Sequence, residues 1–184
     1  ESTLGAVRSV AAVGMIVASL IIGVFNMKGA HLTYITCFLA AGGVLIFLLG
    51  TTTSIVAIGV LAFAFFMVLP PLNTSVEVLT RSWIPNETQG KVWGLMGLIS
   101  QLGYVVAYAV SGVLADSVFN PLLREGGALA DSLGALIGVG TSRGIGFMLM
   151  IVGVLLIGMA VAIPRARSIR SLQNNLPLTE KKGV

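Results

Sequence analysis

GIGFMLMIVGVLLIGMAVAI, residues 144–163, runs for twenty residues without one polar side chain. As a helix rising roughly 1.5 Å per residue it covers about 30 Å, the thickness of a bilayer's hydrocarbon core. A helix on the surface of a soluble domain would keep a polar face, and this stretch has none. It reads as a membrane span. Four further apolar runs of similar length precede it, at about 4–25, 31–50, 54–83 and 90–115. The third is apolar to Leu72 and continues as a polar helix to Trp83.

Composition agrees with five spans. Apolar residues make up 56% of the 184 and charged residues 10%, and the mean hydropathy is +0.99. A soluble domain of this length needs far more charge to cover its surface. The expected class is an all-α integral membrane protein. Its bundle occupies 1–164, its outer loop 116–143 and its basic tail 165–184. The absence of Met at position 1, and of a basic region before the first apolar run, predicts a cut from a longer chain rather than a signal peptide.

The function classes narrow by elimination. The net charge of +4 comes from basic residues spread over loops and a tail, so it is no nucleic-acid footprint. Cys37 is the sole cysteine and His31 the sole histidine. An intrachain disulfide and a Cys-based metal site are therefore excluded. No metal-ligand cluster, Ser/His/Asp set, phosphate loop or selectivity filter is legible. The sequence predicts neither an enzyme nor a channel, and no cofactor.

Lys and Arg set the expected orientation. Lys28, Arg81, Lys91, Arg165, Arg167, Arg170, Lys181 and Lys182 fall on one side, against Arg8, Arg124 and Arg143 on the other. The first side is predicted cytoplasmic. The turn WIPNETQGKVWGL, residues 83–95, then faces the cytoplasm, with Trp83, Trp93 and Tyr34 at the inner interface. The tail is expected to lie close to anionic lipid.

Polar side chains sort the spans, because in lipid each must face protein or water. The fifth has none, and the second is polar only at its inner end. Both read as helices with much lipid contact. In the fourth, Gln101, Tyr104, Tyr108 and Ser111 share one helical face. They form either a cavity wall or an interhelical hydrogen-bonded stripe. Gly90, Gly94, Gly97, Gly103 and Ala107 predict close approach of another helix to the same span. In the third, Pro70 and Pro71 predict a kink. Phe66, Pro70, Asn73 and Glu77 lie roughly on one face, and Glu77 stands four residues before Arg81. That spacing suits an ion pair, a proton-carrying Glu77 being the alternative. Arg8, on a stripe with Ala12, Ser19 and Gly23, either lines an outer vestibule or snorkels to the headgroups.

Three motifs carry a resemblance. Pro85-Asn86-Glu87-Thr88-Gln89-Gly90-Lys91-Val92 is similar to the cytoplasmic turn between helices ten and eleven of major facilitator superfamily transporters. Gly112-Val113-Leu114-Ala115-Asp116, Val118-Phe119 and Pro121-Leu122-Leu123 resemble the end of helix eleven and the loop after it in the macrolide-efflux type of drug:proton antiporter. Ile137-Gly138, Gly140 and Arg143-Gly144-Ile145-Gly146 resemble the start of helix twelve in that group. GVFNMKGAH, residues 23–31, is a degenerate repeat of the family's loop between helices two and three, with Met27 in place of its Asp.

The resemblance implies helices eight to twelve of the C-terminal half. It places helix ten on a central cavity, eight and eleven beside it, and nine and twelve at the periphery. It implies export of amphipathic, drug-like solutes by proton antiport with alternating access, in a bacterial plasma membrane with the C-terminus cytoplasmic. The implied partners are the lipid bilayer, a small-molecule substrate and the missing N-terminal half. Candidate cavity residues are Phe66, Asn73, Gln101, Tyr104 and Tyr108. Pro85, Glu87, Gly90 and Lys91 form a candidate cytoplasmic hinge. No acidic residue falls well inside a span, so the proton site is not assigned. Two rival expectations stand: an exporter of lipid, siderophore or metabolite with the same fold, and a small non-transporting membrane protein that packs on a partner through its glycine faces.

Overall fold

The computed structural model describes residues 2–24, 31–123 and 143–165. Every described element is helical. The order is α1 (Ser2–Val24), α2 (His31–Thr51), α3 (Ile55–Trp83), α4 (Asn86–Leu114), a π-helical turn (Ala115–Phe119), α5 (Asn120–Leu122), α6 (Arg143–Ala162) and a 3₁₀ turn (Ile163–Arg165). Five of these helices are long and apolar enough to cross a membrane.

The predicted spans match these helices to within a few residues, with two differences of substance. α4 starts at Asn86 rather than Gly90, because the carbonyl of Pro85 already accepts the amides of Thr88 and Gln89 at 3.0 and 3.2 Å. The expected loop 116–143 opens as helix, the π turn and α5 carrying the chain helically to Leu122. The rest of that loop to residue 142, the tail from 166, and residues 25–30 of the degenerate repeat lie outside the described residues.

The connections have local causes. Thr52–Ser54 join α2 to α3 in three residues, which makes the two helices antiparallel neighbours. Ile84 precedes a proline, whose ring disfavours helical backbone at the residue before it. Ile84 is accordingly extended (φ −104°, ψ 123°), and α3 stops at Trp83. At Pro70 and Pro71 the helix does not break, and α3 runs on through both. The prolines leave two carbonyls one turn back without intrahelical donors, while Ser75 Oγ donates to the Pro71 carbonyl at 2.8 Å.

α1, α3, α2 and α6 pack in that spatial order. α1 meets α3 through Ala11, Gly14 and Ala18. A β-carbon at Gly14 would lie 2.6 Å from the carbonyl oxygen of Phe63. The polar stripe read on α1 is the opposite face: Arg8, Ala12, Ser19 and Gly23 are all exposed.

The α2–α6 interface is the most extensive among the described residues, while most of both helices stays unburied. Its cause is glycine at matched spacing. Gly43 sits against Gly153, and Gly50 against Gly146, as antiparallel helices require. A β-carbon at Gly153 would lie 2.6 Å from the Gly43 carbonyl and 2.7 Å from the Phe47 amide. A span without polar groups can thus be held along one stripe by backbone contact, which needs no side-chain polarity.

Candidate functional site

α4 supplies most of the candidate residues, and it stands apart. It packs along no other described helix. Every residue from 94 to 110 is exposed. Two anchors hold its ends. At the first, the Arg81 guanidinium lies 5.7 Å from the ring centroid of Trp93. At the second, the π turn and α5 dock on the start of α6. There Phe119 meets Phe147 edge to face at 5.7 Å, and Leu123, fully buried, packs on Met150.

On the free middle of α4, Tyr104 is 61% and Tyr108 79% exposed. Gln101 is exposed with them, and Ser111 Oγ turns inward to donate to the Tyr108 carbonyl at 3.1 Å. Among the described residues, nothing accepts from either tyrosine hydroxyl. The glycines predicted to draw a neighbour close do not: a β-carbon added at Gly90, Gly94, Gly97 or Gly103 would meet nothing within 4 Å. The partner for that face is not among the described residues.

On α3, Phe66 is half-buried with its ring edge-on to Phe65, and Asn73 is exposed. α3 and α4 diverge from their shared corner, so Phe66 and Asn73 do not close a cavity with Gln101, Tyr104 and Tyr108. These side chains lie on two separate helices joined at one corner.

That corner holds a side-chain contact between α3 and α4. Glu77 and Arg81 form the predicted ion pair, at 3.7 Å with both side chains more than half exposed. It is worth a few tenths of a kcal/mol. Pro85, Glu87, Gly90 and Lys91 are all exposed. Glu87 sits in the first turn of α4, where the helix dipole favours an acid. Glu87 and Lys91 form no ion pair with each other. Two residues carry more of the corner than sequence reasoning gave them. Gln89 Nε2 donates to the Ile84 carbonyl at 3.2 Å and to Asn86 Oδ1 at 3.1 Å, closing the turn. Trp93, read as an interfacial ring, receives Arg81 and ties α4 to α3. A cation and an aromatic flanking a two-residue helix–helix turn was the available signal.

Among the described residues no group of His, Cys, Asp and Glu could hold a metal ion. Comparison with protein-family models, with curated proteins and with solved structures finds no match for this chain.

Proposed function

We propose that this chain belongs to a secondary active transporter that exports amphipathic, drug-like solutes from the cytoplasm by proton antiport, through alternating access. The observation that carries the reading is the uncovered stripe of Gln101, Tyr104 and Tyr108 along a membrane-length helix. Hydroxyl and amide groups in hydrocarbon are costly unless they meet protein or water. A helix that keeps them on an open face, anchored only at its ends, is suited to line a wet path shared with further helices. Two aromatic rings beside an amide offer an amphipathic solute both apolar surface and hydrogen bonds.

The other half of such a transporter would supply the opposite wall. Asn73 and Phe66 on α3 would form a second side of the path. The corner at Pro85, Glu87, Gly90 and Lys91, with Glu77 and Arg81, would act as the cytoplasmic hinge as two bundles rock around a midplane site. Proton flow supplies the energy, with no bound cofactor.

The test uses the intact protein in cells. Replacing both Tyr104 and Tyr108 by Ala should raise sensitivity to macrolide-like drugs at unchanged expression. Unchanged resistance would remove the cavity assignment. A panel of lipids, siderophores and metabolites tests the rival cargo classes on the same fold.

A second reading is favoured by one observation, the open glycine face of α4. On it, the chain is a small membrane protein that packs on a partner without transporting anything. Tyr104→Phe and Tyr108→Phe separate the two. Loss of hydroxyls should alter export of hydrogen-bonding solutes, while a packing face keeps its shape and its partner.

A further inference from the structure

An apolar groove of about 230 Å³ runs along the α2–α6 seam, lined by Phe47, Phe147, Met150, Ile151, Val154 and Leu155. Its lining carries no polar surface. It is smaller than the roughly 300–1,000 Å³ of a drug-sized pocket, and it extends along α6 for about 12 Å at helical rise. The shape suits a single hydrocarbon chain rather than a compact solute.

The groove has a charged end. Arg143 is the first residue of α6. It lies one turn before Phe147, and positions 143, 147, 150 and 154 fall on one helical stripe. Side chains on a helix tilt toward its N-terminus, so from the first position of α6 that tilt carries the half-buried Arg143 away from the groove lining rather than across it. A long cationic side chain at a helix end reaches the headgroup level. Among the described residues no carboxylate lies within ion-pair distance of it. Asp116, near the same end of the bundle, accepts instead from Asn120 Nδ2 at 3.3 Å.

From this juxtaposition of a guanidinium and an apolar slot beneath it, we infer a binding site for an anionic phospholipid. One acyl chain lies in the groove between α2 and α6, and the phosphate is held by Arg143. Guanidinium pairs with phosphate oxygens in a bidentate, charge-assisted geometry, and net negative charge on the headgroup favours phosphatidylglycerol over phosphatidylcholine. The glycine contacts explain why the slot exists. Backbone-to-backbone approach at Gly43–Gly153 and Gly50–Gly146 brackets Phe47, which lines the slot together with the larger side chains of α6. The inference rests on the fold and is independent of the transport reading.

The experiment is native mass spectrometry on the delipidated protein, titrated separately with dioleoyl-phosphatidylglycerol and dioleoyl-phosphatidylcholine. Phosphatidylglycerol should be retained with roughly tenfold preference. Arg143→Gln should abolish the preference, and Arg143→Lys should restore part of it. Val154→Trp and Leu155→Trp, at positions more than half exposed, should fill the groove and cut retention of both lipids. Equal retention of the two lipids overturns the proposal. So does a preference that survives Arg143→Gln, or retention undiminished by both tryptophan variants.

Discussion

Two glycine patterns in this molecule meet opposite fates. α2 and α6 carry Gly43 and Gly50, and Gly146 and Gly153, and all four press on facing backbone. α4 carries Gly90, Gly94, Gly97 and Gly103, and a methyl placed on any of them would touch nothing. Both helix types look equally prepared for close packing. The difference lies in the partner. A seven-residue glycine spacing on α2 is answered by the same spacing on α6, running the other way. Gly90 and Gly97 on α4 have that spacing too, but no described helix packs along α4. Small residues permit approach, but only a complementary surface within reach turns permission into contact.

The comparison breaks most visibly at Gly153. Gly153→Leu drives a side chain into the Gly43 carbonyl and the Phe47 amide, and backbone cannot move aside as a rotamer can. The expected loss is about 3 kcal/mol, the upper end of overpacking penalties, read as a drop in thermal midpoint of the detergent-solubilised protein. Gly97→Leu on α4 meets open space and gains helix propensity of up to about 1 kcal/mol. It should leave the midpoint unchanged or slightly raised. Equal damage from both substitutions would show α4's glycine face to be covered in the assembled protein, and the contrast would vanish.

Leu123 sharpens the question of how α4 is held. It is fully buried against Met150, with Phe47 and Phe147 around it. Leu123→Ala should cost about 2 kcal/mol, near the low end for a buried leucine. The low end applies because lipid tails replace much of what packing provided, and no water is excluded. Limited proteolysis should then cut earlier in the segment after α5, since this anchor fixes where α4 ends. Protection equal to that of the unsubstituted protein would mean that the π turn holds through Phe119 and Phe147 alone.

How far the sequence leads can be judged from the same residues. The five helices are legible because length and apolarity are dictated by the bilayer and need no tertiary information. The stop at Trp83 is legible because Pro85 constrains Ile84 locally. The Glu77–Arg81 pair follows from spacing on one helix. The glycine contact between α2 and α6 is not legible from side-chain polarity, because a glycine interface has none. The π turn is hidden too: Asp116 and Pro121 look like loop residues, and what keeps them helical is docking on α6. For the candidate site, the shared face of Gln101, Tyr104 and Tyr108 comes from helical periodicity. What stands opposite that face is not legible, because no described helix packs along it.

The smallest expected effect tests the other anchor of α4. Arg81 serves two partners, Glu77 at 3.7 Å and the Trp93 ring at 5.7 Å. Both contacts are exposed enough for salt and water to weaken them. Trp93→Leu keeps apolar bulk and removes the ring face, so it should cost about 0.5–1 kcal/mol, the range for exposed cation–π contacts. Glu77→Gln removes only the ion pair and should cost a few tenths. The two changes should add nearly independently if Arg81 holds both partners at once. They should couple if release of the carboxylate lets the guanidinium settle more closely on the ring. A double-mutant cycle on the thermal midpoint distinguishes these cases. Coupling above about 0.5 kcal/mol identifies Arg81 as a residue shared between alternatives, which is what a corner that opens and closes requires. Strict additivity makes the corner a fixed joint, and α4 would then have to move with α3 rather than against it.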